Sequence, residues 1–107
     1  MNLKFRVVSD SMAPLIKVGD ELTFEKKSAY NIFDIILFKR KDELFVHFVW
    51  RDQSSFNNTL ITRSLKNYLA DEEPVSIGEV LGTVAEFKIP AATKIKIYLN
   101  CLVRSKL

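Results

Sequence analysis

Residues 9–20 decide the fold of this chain, and they read Ser9-Asp10-Ser11-Met12-Ala13-Pro14-Leu15-Ile16-Lys17-Val18-Gly19-Asp20. Pro14 fixes its own φ angle and lacks a backbone donor, while Gly19 allows a sharp turn before the next strand. A serine beside Met12 and shortly before Pro14, on a turn that ends in Gly19-Asp20, is poorly suited to a core segment. The stretch therefore predicts a rigid, irregular loop that presents the Ser11 hydroxyl at a fixed angle.

Short segments of alternating hydrophobicity surround this loop and predict strands. We expect them at Leu3–Val8, Glu21–Glu25, Asp34–Phe38, Glu43–Trp50, Thr59–Arg63 and Gly78–Phe87. The densely apolar 35–38 run suits a central strand, and Gly82 predicts a bulge or a close approach within its strand. Lys39–Asp42 and Asn57-Asn58 predict turns.

The C-terminal segment supports two interpretations. Ile95, Ile97 and Leu99 alternate with polar residues, as in a strand, but the spacing of Ile95, Leu99 and Leu102 also fits a basic amphipathic helix. Closely spaced strands with tight turns predict an all-β, small, curled and mostly antiparallel fold. At the C-terminus, a short helix is the alternative to a further strand.

The composition indicates one domain over residues 1–107, with 48% hydrophobic and 27% charged residues. Its net charge of +3 is scattered rather than clustered, which argues against a nucleic-acid partner.

No apolar run approaches the ~20 residues that span a bilayer, and Ser9 comes too early for a preceding secretory signal. Cys101 stands alone in an apolar stretch typical of packing, so no intramolecular disulfide can form. One cysteine and one histidine are too few for a structural zinc site, and we expect no metal or other cofactor.

The order Ser11, Met12, Pro14, Ile16, Gly19, Asp20 matches the pattern S-M-x-P-x-I-x-x-G-D. This pattern resembles the nucleophile motif of the signal peptidase I and LexA-like serine peptidases. The resemblance implies a β-barrel-like fold and a serine nucleophile. In this superfamily the serine works with a lysine, or with a histidine in the signal peptidases of the endoplasmic reticulum and of spore formers.

The single histidine, His47, lies 36 residues after Ser11 in a predicted strand. Its surroundings, Val46-His47-Phe48-Val49, resemble the V-H-R-V strand of the Ser-His signal peptidases, with Phe48 in place of the arginine. A neutral imidazole is available at pH 7 because imidazole ordinarily titrates near ~6.5, whereas a lysine near ~10.4 must first be desolvated. Lys39 and Lys41 are the alternative bases, but their charged turn should be wet. We therefore expect His47 to be the general base.

The remaining site residues follow from the resemblance. The family reads T-K-G-D after the base strand and has an Asp further on, whereas this chain has Ser64-Leu65 in place of Gly-Asp. That leaves Asp71, with Asn67 beside it, to orient the imidazole. The resemblance also implies that the Ser11 backbone N–H and the Ser9 hydroxyl form the oxyanion hole.

The expected function is that of a serine endopeptidase cleaving a leader, signal or precursor peptide that lies extended against a sheet edge. A LexA-like self-cleaving regulator would need an Ala-Gly or Cys-Gly bond ahead of the serine, and residues 1–8 contain neither. The alternative is a catalytically silent relative that binds peptides or proteins, to which the departures at Phe48 and Ser64-Leu65 point. With no membrane-spanning segment, a cytoplasmic location is expected, and peripheral membrane association stays open.

Overall fold

The computed structural model describes residues 2–8, 12–13, 15–53, 57–65 and 74–105. Seven strands and one helix are seen there, with a single 3₁₀ turn at Ile77–Glu79 between the last two strands. The strands are β1 (Asn2–Arg6), β2 (Glu21–Glu25), β3 (Ile35–Arg40), β4 (Glu43–Gln53), β5 (Thr59–Arg63), β6 (Val75–Ser76) and β7 (Val80–Val84). The helix, α1, spans Ala91–Ser105.

All the strands belong to one sheet in the order β1-β2-β7-β3-β4-β5-β6, and every neighbouring pair is antiparallel. The prediction of an all-β, mostly antiparallel fold is therefore confirmed, and the C-terminal segment is a helix rather than a strand. The barrel-like closure implied by the resemblance is not formed, because β1 and β6 are the two ends of an open sheet.

Strand β3 lies inside the sheet and is buried on both faces, which explains its continuous apolar run. Ile35 and Leu37 join a large core cluster with residues of the 12–16 loop and α1. Ile36 and Phe38 join a second cluster, with Val49 and residues of β5, β6 and β7. The 35–38 run is thus the central strand that the sequence predicts.

The predicted irregularity at Gly82 is confirmed. The register between β3 and β7 shifts between Leu37 and Phe38, which pair with Gly82 and Val80 respectively. A Cβ at Gly82 would lie 3.0 Å from the backbone of Glu25, so the close packing of β7 on β2 requires glycine here. The predicted Gly78–Phe87 strand is shortened accordingly, since its first residues form the 3₁₀ turn.

The middle of β2 is also joined, through a side chain, to the segment that follows β7. The Thr23 backbone amide donates to both carboxylate oxygens of Glu86, at 2.9 and 3.0 Å. This hydrogen bond favours the charged carboxylate and lowers the pKa of Glu86 from its ordinary value of 4.5.

Helix α1 packs on the larger core cluster through Ile97, which is fully buried. Tyr98 adds an edge contact with Phe33 and a tilted contact with Trp50, at centroid distances of 5.6 and 5.3 Å. Within the described residues, no helix combines the length and the apolar content needed to cross a bilayer.

Candidate functional site

The loop before β2 ends in a turn whose geometry follows from the Gly-Asp pair of the motif. Gly19 has a φ of +94°, in the left-handed region that favours glycine. Its amide donates to the Val7 carbonyl, and the Val7 amide donates to the Asp20 carbonyl, both at 2.8 Å. The Asp20 carboxylate in turn accepts from the Lys17 amide at 2.9 Å. These bonds hold the end of the loop against the end of β1.

Two other motif residues anchor the loop through their side chains. Met12 and Ile16 are both buried in the larger core cluster, and the Ile16 amide donates to the Met12 carbonyl at 3.0 Å. Met12 and Ile16 are thus anchored in the core on either side of Ala13. The rigidity of the whole 9–20 stretch stays a prediction.

On the opposite side of the site, β3 and β4 form a tight hairpin. Its two turn residues, Lys41 and Asp42, both have positive φ angles, of 51° and 65°, as a type I′ turn requires. The predicted charged turn is thus confirmed, although β3 continues to Arg40 before it. The hairpin fixes the register of β4, in which His47 pairs with Ile36.

Between the loop and this hairpin lies a groove of about 620 Å³. One wall consists of the end of β1 and the loop, with Val7, Val8, Met12 and Ile16, and the other is the segment Asp42–His47. Consecutive residues of β4 line the groove, which is the arrangement expected where a groove follows the edge of a strand.

The groove is mainly apolar and exposes hydrophobic side chains on both walls. Val8 is 77% exposed and Leu44 is 41% exposed, whereas Met12 and Ile16 form a buried floor. Asp42 and Glu43 add carboxylates at the hairpin end. Apolar side chains facing each other across an open groove provide a surface that an apolar ligand would cover.

His47 lines this groove and is half-buried. Its ring lies 6.0 Å from that of Phe38 at 70°, and 6.2 Å from that of Phe45 at 54°. These contacts place the imidazole on the face of the sheet that carries the second core cluster, which includes Phe38. Met12 and Ile16 belong to the larger cluster together with Val46, whose side chain points to the other face of β4.

The alternative bases are placed differently. Lys39 and Lys41 are both exposed, and neither lines the groove. Lys39 also forms a long ion pair of 4.0 Å with Asp42. The prediction that this turn is solvent-exposed is confirmed, and His47 is the candidate base that the groove contains.

Several predicted site residues lie outside the described residues, namely Ser9, Ser11, Pro14, Asn67 and Asp71. Their roles therefore stay predictions, as does the pairing of Ser11 with His47. Met12, the chain neighbour of Ser11, and Ile16 are described residues of the nucleophile motif that line the groove.

The two departures from the family pattern have structural explanations. Phe48 is fully buried and stacks on Phe33 at a centroid distance of 6.0 Å. Leu65 is buried in the larger core cluster, next to the buried Ser64. Core packing thus occupies the positions at which the resemblance would place an arginine and an acid.

Sequence reasoning missed the second wall of the groove, residues 42–46. Nothing in their local pattern indicates a binding surface, because their position opposite Val7 and Val8 depends on long-range folding. Metal binding is not indicated, since no group of three His, Cys, Asp or Glu side chains suited to an ion occurs in the described ranges.

Comparison of the chain with protein-family models and with curated proteins finds no matching family and no relative.

Proposed function

We propose that this protein is a serine endopeptidase of the signal-peptidase and LexA-like type, which cleaves a leader or precursor peptide. Ser11 is the nucleophile, His47 the general base, and Asp71 the group that orients the imidazole. Ser9 and the Ser11 backbone N–H form the oxyanion hole. The observation that carries the proposal is the shared groove, because Met12 of the nucleophile motif and His47 both line it.

The strands beside the groove favour an extended peptide as the ligand. Strand β1 is an end strand of the sheet, and among the described strands only β3 pairs with Glu43–Phe45. Pairing with β5 begins further along β4, at Phe48. A peptide lying between the two walls can therefore add backbone hydrogen bonds, while Val8 and Leu44 contact its side chains.

The chemistry requires a proton acceptor for the serine hydroxyl. In the proposed reaction the His47 imidazole takes the Ser11 proton as Oγ attacks the carbonyl carbon of the scissile bond. The Ser9 hydroxyl and the Ser11 N–H donate to the oxyanion that forms. The imidazolium then protonates the leaving amine as the C–N bond breaks. Water, deprotonated by the same imidazole, hydrolyses the resulting ester and restores Ser11.

A second candidate function is peptide binding without cleavage. It is favoured by the buried Leu65, which fills core space where the related peptidases carry an acidic residue. In that case the groove would retain its ligand, and Ser11 would have no catalytic role.

Mass spectrometry of a degenerate decapeptide library, rich in small residues at its centre, tests the proposal. The wild-type protein should release defined fragments, and Ser11→Ala should release none, since its methyl group cannot attack a carbonyl. Ser28→Ala is the matched control, because Ser28 is an exposed serine away from the groove, and this variant should cleave like the wild type.

The outcomes separate the two candidate functions. Cleavage that persists in Ser11→Ala would exclude the peptidase proposal. A wild-type protein that leaves the library intact but enriches particular peptides on pull-down would establish the binding function instead.

A further inference from the structure

Helix α1 exposes apolar side chains on the side that does not contact the sheet. Ile97 is buried against the core, whereas Ile95 and Leu99 are 60% and 58% exposed. Residues four apart lie on the same side of a helix, so Ile95 and Leu99 form one continuous surface, with Tyr98 at its border. Contiguous exposed apolar side chains can mark a surface that meets an apolar partner, and this pair gains weight from the charge around it.

The same segment is strongly cationic. Residues 87–107 contain five Lys or Arg residues and no Asp or Glu, in a chain whose net charge is only +3. In the described part of this segment, Lys88 and Lys96 are exposed, and no carboxylate pairs with Lys88, Lys94 or Lys96. The charge thus surrounds the exposed aliphatic surface of α1.

The polar cleft beside the helix carries three lysines and two carboxylates. Lys27, Lys88 and Lys94 line it together with Glu25 and Asp34, and Lys94 lies over the Phe33 ring, 5.3 Å from its centroid. Exposed lysines beside the apolar helix surface have long side chains that can extend toward an anionic boundary.

We propose that α1 docks on the surface of an anionic lipid bilayer, lying in its plane with Ile95 and Leu99 inserted and the lysines on the headgroups. This arrangement accounts for both the exposed aliphatic surface and the positive charge of the segment. The bilayer accepts the aliphatic side chains, and its anionic headgroups complement the lysines. Nucleic acid would leave Ile95 and Leu99 in water, and a second copy of this face would bring like charges together. The inference is independent of the peptidase proposal.

Vesicle flotation with the full-length protein tests the docking. The protein should float with vesicles of equimolar phosphatidylcholine and phosphatidylglycerol, and it should bind much less to phosphatidylcholine alone. Ile95→Ser with Leu99→Ser, and separately Lys88→Gln with Lys96→Gln, should each weaken the partition by roughly tenfold. Raised salt should weaken the binding of the wild type, because exposed charges are screened.

The control replaces an exposed aliphatic and an exposed lysine elsewhere, Val18→Ser with Lys17→Gln, and should float like the wild type. Circular dichroism of each variant confirms that the fold is retained. Equal binding to neutral and anionic vesicles, or no flotation of the wild type, would overturn the proposal. So would a dimer in vesicle-free sedimentation that Ile95→Ser with Leu99→Ser dissociates, because the surface would then be a self-association interface.

Discussion

The two halves of β4 differ in their surroundings, although they belong to one continuous strand. In the first half, among the described strands, Glu43–Phe45 pair with β3 alone, and Leu44 is exposed at the groove. In the second half, Phe48 and Val49 are fully buried, and Phe48 pairs with both β3 and β5. His47 lies at the boundary between them.

The difference shows how a small sheet can support both a core and a ligand surface. The buried half fixes the position and register of the strand, so the half at the groove needs little packing of its own. His47, at the boundary, is half-buried and lines the groove. Stability and activity should therefore respond to different residues of the same strand.

The largest difference should appear in stability. Phe48→Ala should lower the free energy of unfolding by about 3–5 kcal/mol, because it leaves a cavity in the core. Leu44→Ala, in the exposed half, should cost less than about 1 kcal/mol. Equilibrium denaturation in urea measures both values, and similar losses for the two variants would abolish the distinction between the halves.

A smaller effect should separate the groove from other exposed surface. Val8→Ser with Leu44→Ser should lower kcat/KM for a cleaved peptide by about tenfold, since apolar contact with the ligand is lost. Val18→Ser removes an exposed aliphatic, intermediate in exposure between Val8 and Leu44, that does not line the groove, and it should leave kcat/KM unchanged. Steady-state kinetics of the two variants decides the point, and equal losses would show that the groove does not bind the substrate.

The smallest effect should be a loss of stability in acid, and it should occur at a lower pH than the loss of activity. The Thr23 amide lowers the pKa of Glu86, so this contact stabilises the fold above the ordinary carboxyl value of 4.5 and is lost as the pH falls through the lowered pKa. Glu86→Gln should reduce this acid dependence by no more than about 1 kcal/mol, because the group is exposed. An imidazole base loses activity when it is protonated, and an imidazole ordinarily binds its proton at a higher pH than a carboxylate does. As the pH falls, activity should therefore decline before this contribution to stability is lost.

Urea denaturation and peptide cleavage should each be measured from pH 3 to pH 8. The two sets of data would show whether stability and activity are lost at different pH values. Coincident acid transitions in the two measurements would mean that activity is lost through unfolding rather than through protonation of a base.

Local pattern was sufficient for much of the fold. Glu21–Glu25 and Thr59–Arg63 are strands with the predicted bounds, because alternation and flanking turns both indicate them. The C-terminal segment could not be assigned in this way, since Ile95, Ile97 and Leu99 fit either a strand or a helix. In the helix only Ile97 is buried, because residues two apart point in different directions, whereas one face of a strand would carry all three.

The candidate site was predictable only where its residues carry a motif. Met12, Ile16, Gly19 and Asp20 anchor or turn the loop, in keeping with the motif that singled them out. The Asp42–His47 wall depends on the β3–β4 register and on contacts between distant segments of the chain, which no local pattern encodes. The burial of Phe48 in the core could likewise not be predicted from the resemblance, which assigns this position to an arginine.

The central claim is that Ser11 and His47 act as one catalytic unit, and a double-mutant cycle tests it most directly. His47→Phe keeps an aromatic ring against Phe38 and Phe45 but cannot accept a proton. Ser11→Ala and His47→Phe should each lower kcat/KM by about a thousandfold or more, and the double variant should be scarcely worse than either. Losses that multiply in the double variant, or undiminished cleavage by either single variant, would contradict the account.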